Sequence, residues 1–206
     1  MFTGIIQHLG RFKGFRKGRK ELVVQVSPPL FDFKVGESLA VNGVCLSLIQ
    51  KERDNFLFNL SEETLRRTNL GRLHKGCQLN LEPPLSPSSF LSGHMVTGHI
   101  DGTGKILKII NKTQGKRMTF SFPSSLRSYF ILKGSVAING VSLTVAALNP
   151  SRLDVEILPI TLNNSNLSDL KRGDEVNIEC DIIGKYVYNY LSQVQKSIQG
   201  QDKNAK

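Results

Sequence analysis

The chain repeats part of its own sequence, and this repeat constrains the fold more than any other feature. Residues 39–82 align without a gap with residues 136–179 at a constant offset of 97, and thirteen of the 44 pairs are identical. A second, shorter match pairs Thr3-Gly4-Ile5-Ile6 with Thr97-Gly98-His99-Ile100. Two units are fewer than the three that a solenoid needs. The repeat therefore predicts a duplicated domain in which each half buries its own core.

Each copy contains an Asn-Gly pair between short apolar runs. Asn42-Gly43 and Asn139-Gly140 are flanked by alternating residues, which is a strong signal for a tight β-hairpin. Side chains two apart on a strand project from the same face, so the strand after each turn presents a pair of small polar groups on one face. These pairs are Cys45 and Ser47 in the first copy and Ser142 and Thr144 in the second. They form either a binding face or an ordinary solvent face.

Short strands are predicted throughout both halves. Apolar and alternating segments predict strands at residues 3–13, 21–26, 39–41, 44–49, 56–60 and 78–82, and again at 97–109, 117–122, 135–138, 141–147, 153–158 and 175–181. Pro28-Pro29 would end the second strand. Ser61 before Glu62 and Glu63 predicts the N-cap of a short helix, matched by a helical turn around residues 163–167. Many short strands without alternating helices predict an all-β sandwich or barrel.

Two boundaries divide the 206 residues. The proline- and serine-rich stretch at residues 83–89 is typical of a linker, which gives units at residues 1–90 and 91–184. Residues 185–206 form a third segment. Its apolar residues recur every three to four positions over residues 185–199, which predicts an amphipathic helix that packs on its own chain or on further copies.

Composition excludes several classes of protein. No apolar run approaches the ~20 residues that cross a bilayer, and the N-terminus lacks a secretory signal. Three cysteines without CxxC spacing argue against a disulfide framework or structural zinc and favour a reducing compartment, which we take as cytoplasmic. His94 and His99 lack a third ligand for a metal. The net charge of +10 fits either solvated basic loops or a nucleic-acid partner, and the loops are favoured because aromatic residues do not interleave with the charges.

Several motifs together resemble the riboflavin synthase family. They are Met1-Phe2-Thr3-Gly4-Ile5, the two Asn-Gly hairpins, ETLRRTNLG at residues 63–71, SGHMVTGHI at residues 92–100 and VNIECD at residues 176–181. The resemblance covers residues 1–195. It implies an all-β fold of two tandem six-stranded Greek-key β-barrels, with a C-terminal α-helix through which three chains associate.

The resemblance also implies an activity. Enzymes of this family transfer a four-carbon unit between two molecules of 6,7-dimethyl-8-ribityllumazine, giving riboflavin and 5-amino-6-ribitylaminouracil without a cofactor or metal. Each barrel holds one lumazine, and the reactive site forms between the N-terminal barrel of one subunit and the C-terminal barrel of its neighbour. Association with lumazine synthase is a further expectation. The alternative is a non-catalytic lumazine- or flavin-binding relative, in which one barrel loses its polar face.

Matching positions give a set of expected site residues. The expected catalytic residues are Cys45, Ser47, His99, Ser142 and Asp181. The expected substrate-binding residues are Phe2, Thr3, Gly4, Glu62, Thr64, Lys133, Thr144 and Thr161. Phe2 is expected as a mobile aromatic lid, and Asp101 as the acid that orients His99 on one strand face. Structural alternatives remain for each, such as helix capping for Thr64 and Thr161 and a solvated turn for Lys133.

Overall fold

The N-terminal half is a closed antiparallel barrel of six strands. The computed structural model describes residues 1–26 and 33–204, with side chains to residue 198. The strands are β1 (His8–Arg16), β2 (Glu21–Val26), β3 (Ser38–Val41), β4 (Val44–Glu52), β5 (Asn55–Asn59) and β6 (Gln78–Glu82), arranged around the barrel in the order β1-β2-β5-β4-β3-β6. Helix α1 (Glu62–Arg67) and a 3₁₀ turn (Asn69–Arg72) connect β5 to β6.

The C-terminal half repeats this topology. Its strands are β7 (Gly102–Lys112), β8 (Gly115–Ser121), β9 (Ser135–Ile138), β10 (Val141–Leu148), β11 (Arg152–Ile157) and β12 (Glu175–Cys180), closed in the equivalent order β7-β8-β11-β10-β9-β12. Helix α2 (Pro159–Asn163) and a 3₁₀ turn (Asn166–Ser168) correspond to those of the first half, and a further 3₁₀ turn (Ser124–Tyr129) lies before β9. The predicted pair of six-stranded barrels is confirmed.

Alternation along the hairpin strands sets which side chains face outward. Val44, Leu46 and Leu48 of β4 are buried in the barrel core, while Cys45 is partly exposed and Ser47 is exposed. Strand β10 has the same pattern, with Ser142 and Thr144 on its outer face. The Asn and Gly of both turns have positive φ, between 45° and 79°, as a type I′ hairpin requires. The small polar pairs therefore lie outside each barrel.

The sequence placed some element ends wrongly. The first strand of each barrel begins about five residues later than predicted, at His8 and Gly102, because the residues before them bind elsewhere. The helical turn expected at residues 163–167 is divided between α2, which begins at Pro159, and a 3₁₀ turn. Ser61 caps α1 as predicted, since its Oγ accepts from the Thr64 amide at 3.0 Å. The predicted stop at Pro28-Pro29 lies outside the described residues.

Asparagines that are identical in the two copies join the barrels. The Asn80 amide group donates to the Asn139 carbonyl at 2.9 Å, and its counterpart Asn177 donates to the Asn42 carbonyl at 2.9 Å. The two turns touch at their glycines, where a Cβ on Gly43 would lie 2.6 Å from the Gly140 nitrogen. The contacts between the barrels are thus related by pseudo-twofold symmetry.

Helix α3 (Ile182–Asn204) leaves the second barrel with an unpartnered apolar face. Its first turns are held by the ion pair between Lys185 and Asp101, at 2.7 Å, and by an edge contact of Tyr188 with Tyr129. Farther along, the apolar stripe is exposed, at Val187, Tyr190, Leu191, Val194 and Ile198. No helix among the described residues has the length and apolarity that a bilayer crossing needs.

Candidate active site

Two short segments before the barrels, which we call the leading segments, pair with each other. They are residues 2–6 and their repeat counterparts, residues 96–100. The Phe2 and Val96 amides donate to each other's carbonyls at 2.7 and 3.1 Å. The side chains of Phe2 and Val96 pack with Ala40 and Ala137 in a small buried cluster between the barrels.

Each leading segment then continues along the polar strand of the opposite barrel. The Ser142 amide of β10 donates to the Gly4 carbonyl at 2.8 Å, and the Cys45 amide of β4 donates to the Gly98 carbonyl at 2.9 Å. Both glycines are closely approached, because a Cβ on Gly4 would lie 2.6 Å from Ser142 Cβ and one on Gly98 would lie 2.5 Å from Cys45 Cβ. Glycine at these positions, with φ of +77° and +82°, is therefore required by space and by conformation.

A buried glutamate anchors each leading segment. Glu82 on β6 accepts hydrogen bonds from the Thr3 amide, the Thr3 hydroxyl and the Gly4 amide, at 2.6, 2.7 and 3.0 Å. Glu179 on β12 accepts the matching bonds from Thr97 and Gly98. Burial raises the pKa of both carboxyl groups above the usual 4.5, although the hydrogen bonds favour the charged form.

A cavity of about 280 Å³, which we call the C-terminal pocket, opens beside Ser142. Its walls come from the leading segment, from the start of β10 and from the region of α2. The lining residues are Gly4, Ile5, Ile6, Val141, Ser142, Ile160, Thr161, Asn164 and Ser165. Its apolar rim is open to solvent, since Ile160 is 67% and Ile5 is 43% exposed. An apolar ring with a polar edge fits such a lining.

Ser142 is paired with a buried histidine at this pocket. His94 Nδ1 lies 2.7 Å from Ser142 Oγ, and the imidazole is only 8% exposed. Burial lowers the pKa of His94 below the usual 6.5, and the nearby carboxylate of Asp181 opposes this shift. His94 is therefore neutral at neutral pH and can accept a proton from the Ser142 hydroxyl. From the sequence, His94 was considered only as a metal ligand and rejected, so its pairing with Ser142 was not predicted.

The equivalent region of the first barrel lies beside Cys45, and we call it the N-terminal pocket because it occupies the position that the repeat relates to the C-terminal pocket. Through Gly98, the second leading segment brings His99 to the edge of β4, as the first brings Ile5 to β10. The His99 side chain is exposed, and Ser47 is exposed on the same outer face as Cys45. The two pockets thus share the same backbone arrangement but differ in chemistry. At matching positions, the N-terminal pocket has Cys45 and His99 where the C-terminal pocket has Ser142 and Ile5.

The other expected residues occupy several settings. Thr64 uses its hydroxyl to bond Ser61 at 2.8 Å within the cap of α1, whereas Thr161 lines the C-terminal pocket. Glu62 and Thr144 are exposed on the first turn of α1 and on the outer face of β10. Asp181 Oδ1 accepts from the Ile183 amide at the start of α3.

Lys133 occupies a backbone conformation that its repeat counterpart gives to glycine. Its φ is +66°, and the counterpart Gly36 has φ of +94°. Both amides make the equivalent bond, Lys133 to the Val145 carbonyl and Gly36 to the Leu48 carbonyl. The lysine side chain is exposed and, within residues 1–26 and 33–204, makes no ion pair.

Two details of the expected site are wrong. Phe2 is not a mobile lid, because its side chain is 0% exposed and its backbone is paired with Val96. Asp101 does not share a strand face with His99, since β7 begins at Gly102. Its carboxylate instead binds the Lys185 ammonium and the Cys180 amide, which secures α3.

A larger cavity, of about 660 Å³, lies elsewhere between the barrels. It is lined by Asn42, Asn69, Asn139 and Asn166 together with charged loop residues, and it contains none of the expected site residues. In the part of the chain that the structure describes, no three His, Cys, Asp or Glu side chains cluster as metal ligands would. We therefore place the candidate site at the outward polar faces of β4 and β10 and not in this larger cavity.

Comparison with known proteins identifies the family. The family described as "Lumazine binding domain" matches residues 3–83 and 97–181. The riboflavin synthase of Bacillus subtilis is 35% identical over 96% of this chain and 93% of its own length. The riboflavin synthase of Actinobacillus pleuropneumoniae is 38% identical over 93% of this chain and 90% of its own length.

Solved structures show the same fold. LumP complexed with 6,7-dimethyl-8-(1'-D-ribityl) lumazine matches with a TM-score of 0.78 and 23% identity, covering 87% of this chain and 99% of LumP. LumP complexed with riboflavin gives a TM-score of 0.80 at 24% identity, with the same coverage. With the family match in both barrels and the near full-length relatives, the chain belongs to the riboflavin synthase family and carries its lumazine-binding domain twice.

Proposed function

We propose that this protein forms riboflavin by transferring a four-carbon unit from one 6,7-dimethyl-8-ribityllumazine to a second, releasing 5-amino-6-ribitylaminouracil. One observation carries the proposal: both barrels keep an outward polar strand that is completed by a glycine-containing leading segment. A reaction between two identical molecules calls for two similar pockets. A non-catalytic relative would need only one.

The chemistry is a dismutation, so the two products together contain the atoms of two substrates, and no oxidant or reductant is consumed. The substrate's 7-methyl group is acidic because its carbanion delocalises into the ring. Much of the catalysis is then the alignment of two stacked rings, which can contribute ~7–11 kcal/mol. Proton transfer supplies a further part.

The C-terminal pocket supplies a hydroxyl with its own base. Neutral His94 takes the Ser142 proton through Nδ1, which activates the serine oxygen, or a water beside it, as a nucleophile toward the ring. Asp181 stabilises the imidazolium that forms, since its carboxylate favours the charged form of His94. Thr144 and Thr161 offer hydroxyls to the ring edge and the ribityl chain.

The N-terminal pocket supplies a thiol and an exposed imidazole. Cys45, Ser47 and His99 move protons to and from the second lumazine, and Glu62 and Thr64 bind its polar edge.

The remaining expected residues have supporting roles. The backbone of Thr3 and Gly4 contributes a wall to the C-terminal pocket, and the buried Phe2 side chain supports that wall. Lys133 holds an anionic ring oxygen through its ammonium group, at a position where positive φ costs a non-glycine residue about 1–2 kcal/mol.

Assembly completes the site in this proposal. The C-terminal pocket is open, with an exposed apolar rim, and α3 carries an exposed apolar stripe. We propose that three chains associate through α3, so that an N-terminal pocket of one subunit faces a C-terminal pocket of the next.

Location and partners complete the proposal. Three unpaired cysteines support a cytoplasmic location. Association with lumazine synthase is proposed from the family resemblance, and co-sedimentation of the two enzymes tests it.

Incubation with the lumazine and detection of riboflavin tests the activity. We expect riboflavin and 5-amino-6-ribitylaminouracil in equal amounts. Cys45→Ser and His99→Ala should slow turnover without unfolding the chain, whereas full activity in both would remove these residues from the mechanism. Tight lumazine binding with no riboflavin formed would instead identify a non-catalytic relative.

Sedimentation tests the assembly. The full chain should sediment as a trimer, and replacing Tyr190 and Leu191 with Glu should yield monomers that still bind the lumazine but do not turn it over. A monomeric, active wild type would contradict the shared site.

A further inference from the structure

We propose that Glu82 of the first barrel is a positioning residue for the C-terminal pocket, and that Glu179 of the second barrel is a positioning residue for the N-terminal pocket. Each buried glutamate thus controls ligand binding in the barrel to which it does not belong. The nature of the ligand rests on the proposed function. The crossed arrangement rests on hydrogen bonds alone.

The first chain of contacts runs from Glu82 to Ser142. Glu82 Oε1 holds the Thr3 amide and hydroxyl, and Oε2 holds the Gly4 amide. The Gly4 carbonyl on the other side of the same residue accepts from the Ser142 amide. Gly4, Ile5 and Ile6 form one wall of the C-terminal pocket. Releasing the carboxylate therefore frees a wall of a pocket that is built on the opposite barrel.

The second chain of contacts repeats the first in the other direction. Glu179 Oε1 holds the Thr97 amide and hydroxyl, and Oε2 holds the Gly98 amide at 3.0 Å. The Gly98 carbonyl accepts from the Cys45 amide at 2.9 Å. The next residue is His99, so this carboxylate fixes the backbone that presents the imidazole at the N-terminal pocket.

Both positions need a carboxylate and not merely a polar group. Each side chain accepts three hydrogen bonds through two oxygens, and both glutamates are almost fully buried. Glutamine has one acceptor oxygen, and its amide nitrogen would direct a donor at the glycine N–H. Glu→Gln thus removes the anchor with little change in shape.

Crossed binding measurements test the proposal in the full chain. Ser47→Trp places a large ring on the outer face that carries Cys45, and Thr144→Trp places one on the outer face that carries Ser142, so each variant is designed to block one pocket. Riboflavin is the probe, followed by its own fluorescence. Glu82→Gln should weaken binding about tenfold or more in the Ser47→Trp background and less than about twofold in the Thr144→Trp background. Glu179→Gln should show the reverse. Weakening in a glutamate's own barrel, or equally in both, would overturn the proposal.

Amide hydrogen exchange gives a readout that needs no ligand. Glu82→Gln should speed exchange at the Ser142 amide but not at Cys45, and Glu179→Gln should do the opposite. Thr3→Val and Thr97→Val each remove the hydroxyl that donates to the glutamate and accepts from the amide two residues on. They should show the same crossing in weaker form if the glutamine variants fold poorly. Glu52→Gln, at a partly exposed acid paired with Arg16, is the matched control. A crossed exchange pattern in a protein that forms no riboflavin would refute the proposed function and leave this inference intact.

Discussion

At the scale of single residues, burial gives ordinary side chains their chemistry. His94 differs from the exposed His74 only in its surroundings, yet it lies 2.7 Å from Ser142 Oγ and its pKa is lowered by burial. An imidazole that stays neutral below pH 6.5 remains a base in mildly acidic solution.

Replacing His94 with Asn should lower kcat about 10²-fold or more with little change in KM, because Asn keeps a hydrogen-bond partner for Ser142 but cannot take up its proton. Wild-type kcat should hold just below pH 6.5 and fall as the pH drops through the lowered pKa of His94. His94→Asn should lose that acid limb. Steady-state kinetics between pH 5 and 8 measures both effects, and His74→Asn is the control. An unchanged pH profile in His94→Asn would exclude the base role.

Substitution of Lys133 should affect activity much more than stability. Lys133→Gly should change the free energy of unfolding by less than about 1 kcal/mol, since relief of the positive φ offsets the greater freedom of glycine in the unfolded chain. The same variant should lose about tenfold or more in kcat/KM, because the ammonium group is gone. Urea unfolding and the riboflavin assay measure the two quantities. Lys133→Met is the comparison that keeps the side chain's length, and activity that survives in both variants would refute the role.

The sequence could predict some of these residues and not others. Alternation after the Asn-Gly turns placed Cys45 and Ser47 on the outer face, because that pattern is local. His94 and Glu82 could not be assigned, since their roles depend on a segment that crosses to another barrel. Phe2 was expected to be mobile for the same reason: its partner, Val96, lies far away in the chain.

At the scale of elements, the leading segments have the sequence pattern of β-strands but are not part of the strands that form either barrel. Thr3–Ile6 and its counterpart have the apolar character of a first strand, and the sequence extended the strands through them. Their backbone groups instead bond a glutamate on one side and the opposite barrel on the other. Local pattern predicts extended backbone, but only the packing of the two barrels decides which neighbour it pairs with.

The glutamates that hold these segments should make stability depend on pH. Burial raises the pKa of Glu82 and Glu179 above the unfolded value of 4.5, so the folded state binds their protons more tightly. This contribution is fully present below pH 4.5 and is lost as the pH rises through the folded pKa. Relative to the Glu82→Gln/Glu179→Gln double variant, the wild type should therefore lose stability as the pH rises from 4.5 to 7.

Urea unfolding at stepped pH measures that difference. Glu52→Gln provides the contrast, because Arg16 lowers the pKa of the partly exposed Glu52. The difference in stability between the wild type and Glu52→Gln should therefore depend only weakly on pH and with the opposite sign. A gap that grows in favour of the wild type as the pH rises would show that the hydrogen bonds outweigh burial at Glu82 and Glu179.

At the scale of the whole molecule, several of the residues that are identical in both copies lie where the copies meet. Asn42, Asn69 and Asn80 bond to the opposite half, as do Asn139, Asn166 and Asn177, and Gly43 touches Gly140. A contact that is related by twofold symmetry requires the same residue on both sides. The repeat thus predicted a duplicated domain, but it could not show that some of its identical residues form the interface between the two barrels.

Removing one interface asparagine should therefore affect the barrel that does not contain it. Asn80 donates to the Asn139 carbonyl and accepts from the Asn166 amide at 2.7 Å, and Asn177 makes the same bonds to Asn42 and Asn69. Asn80→Ala leaves two buried groups of the second barrel unpaired, at a cost of about 2–4 kcal/mol, and Asn177→Ala should cost the first barrel about as much.

Hydrogen exchange locates the effect, and urea unfolding measures its size. Asn80→Ala should speed exchange around the Asn139 turn and in the 3₁₀ turn at residues 166–168, and Asn177→Ala should do so around the Asn42 turn and at residues 69–72. Asn111→Ala, at an exposed position on β7, should leave exchange in both barrels unchanged. If loss of protection stayed within the mutated barrel, these asparagine bonds would not contribute to the stability of the opposite barrel.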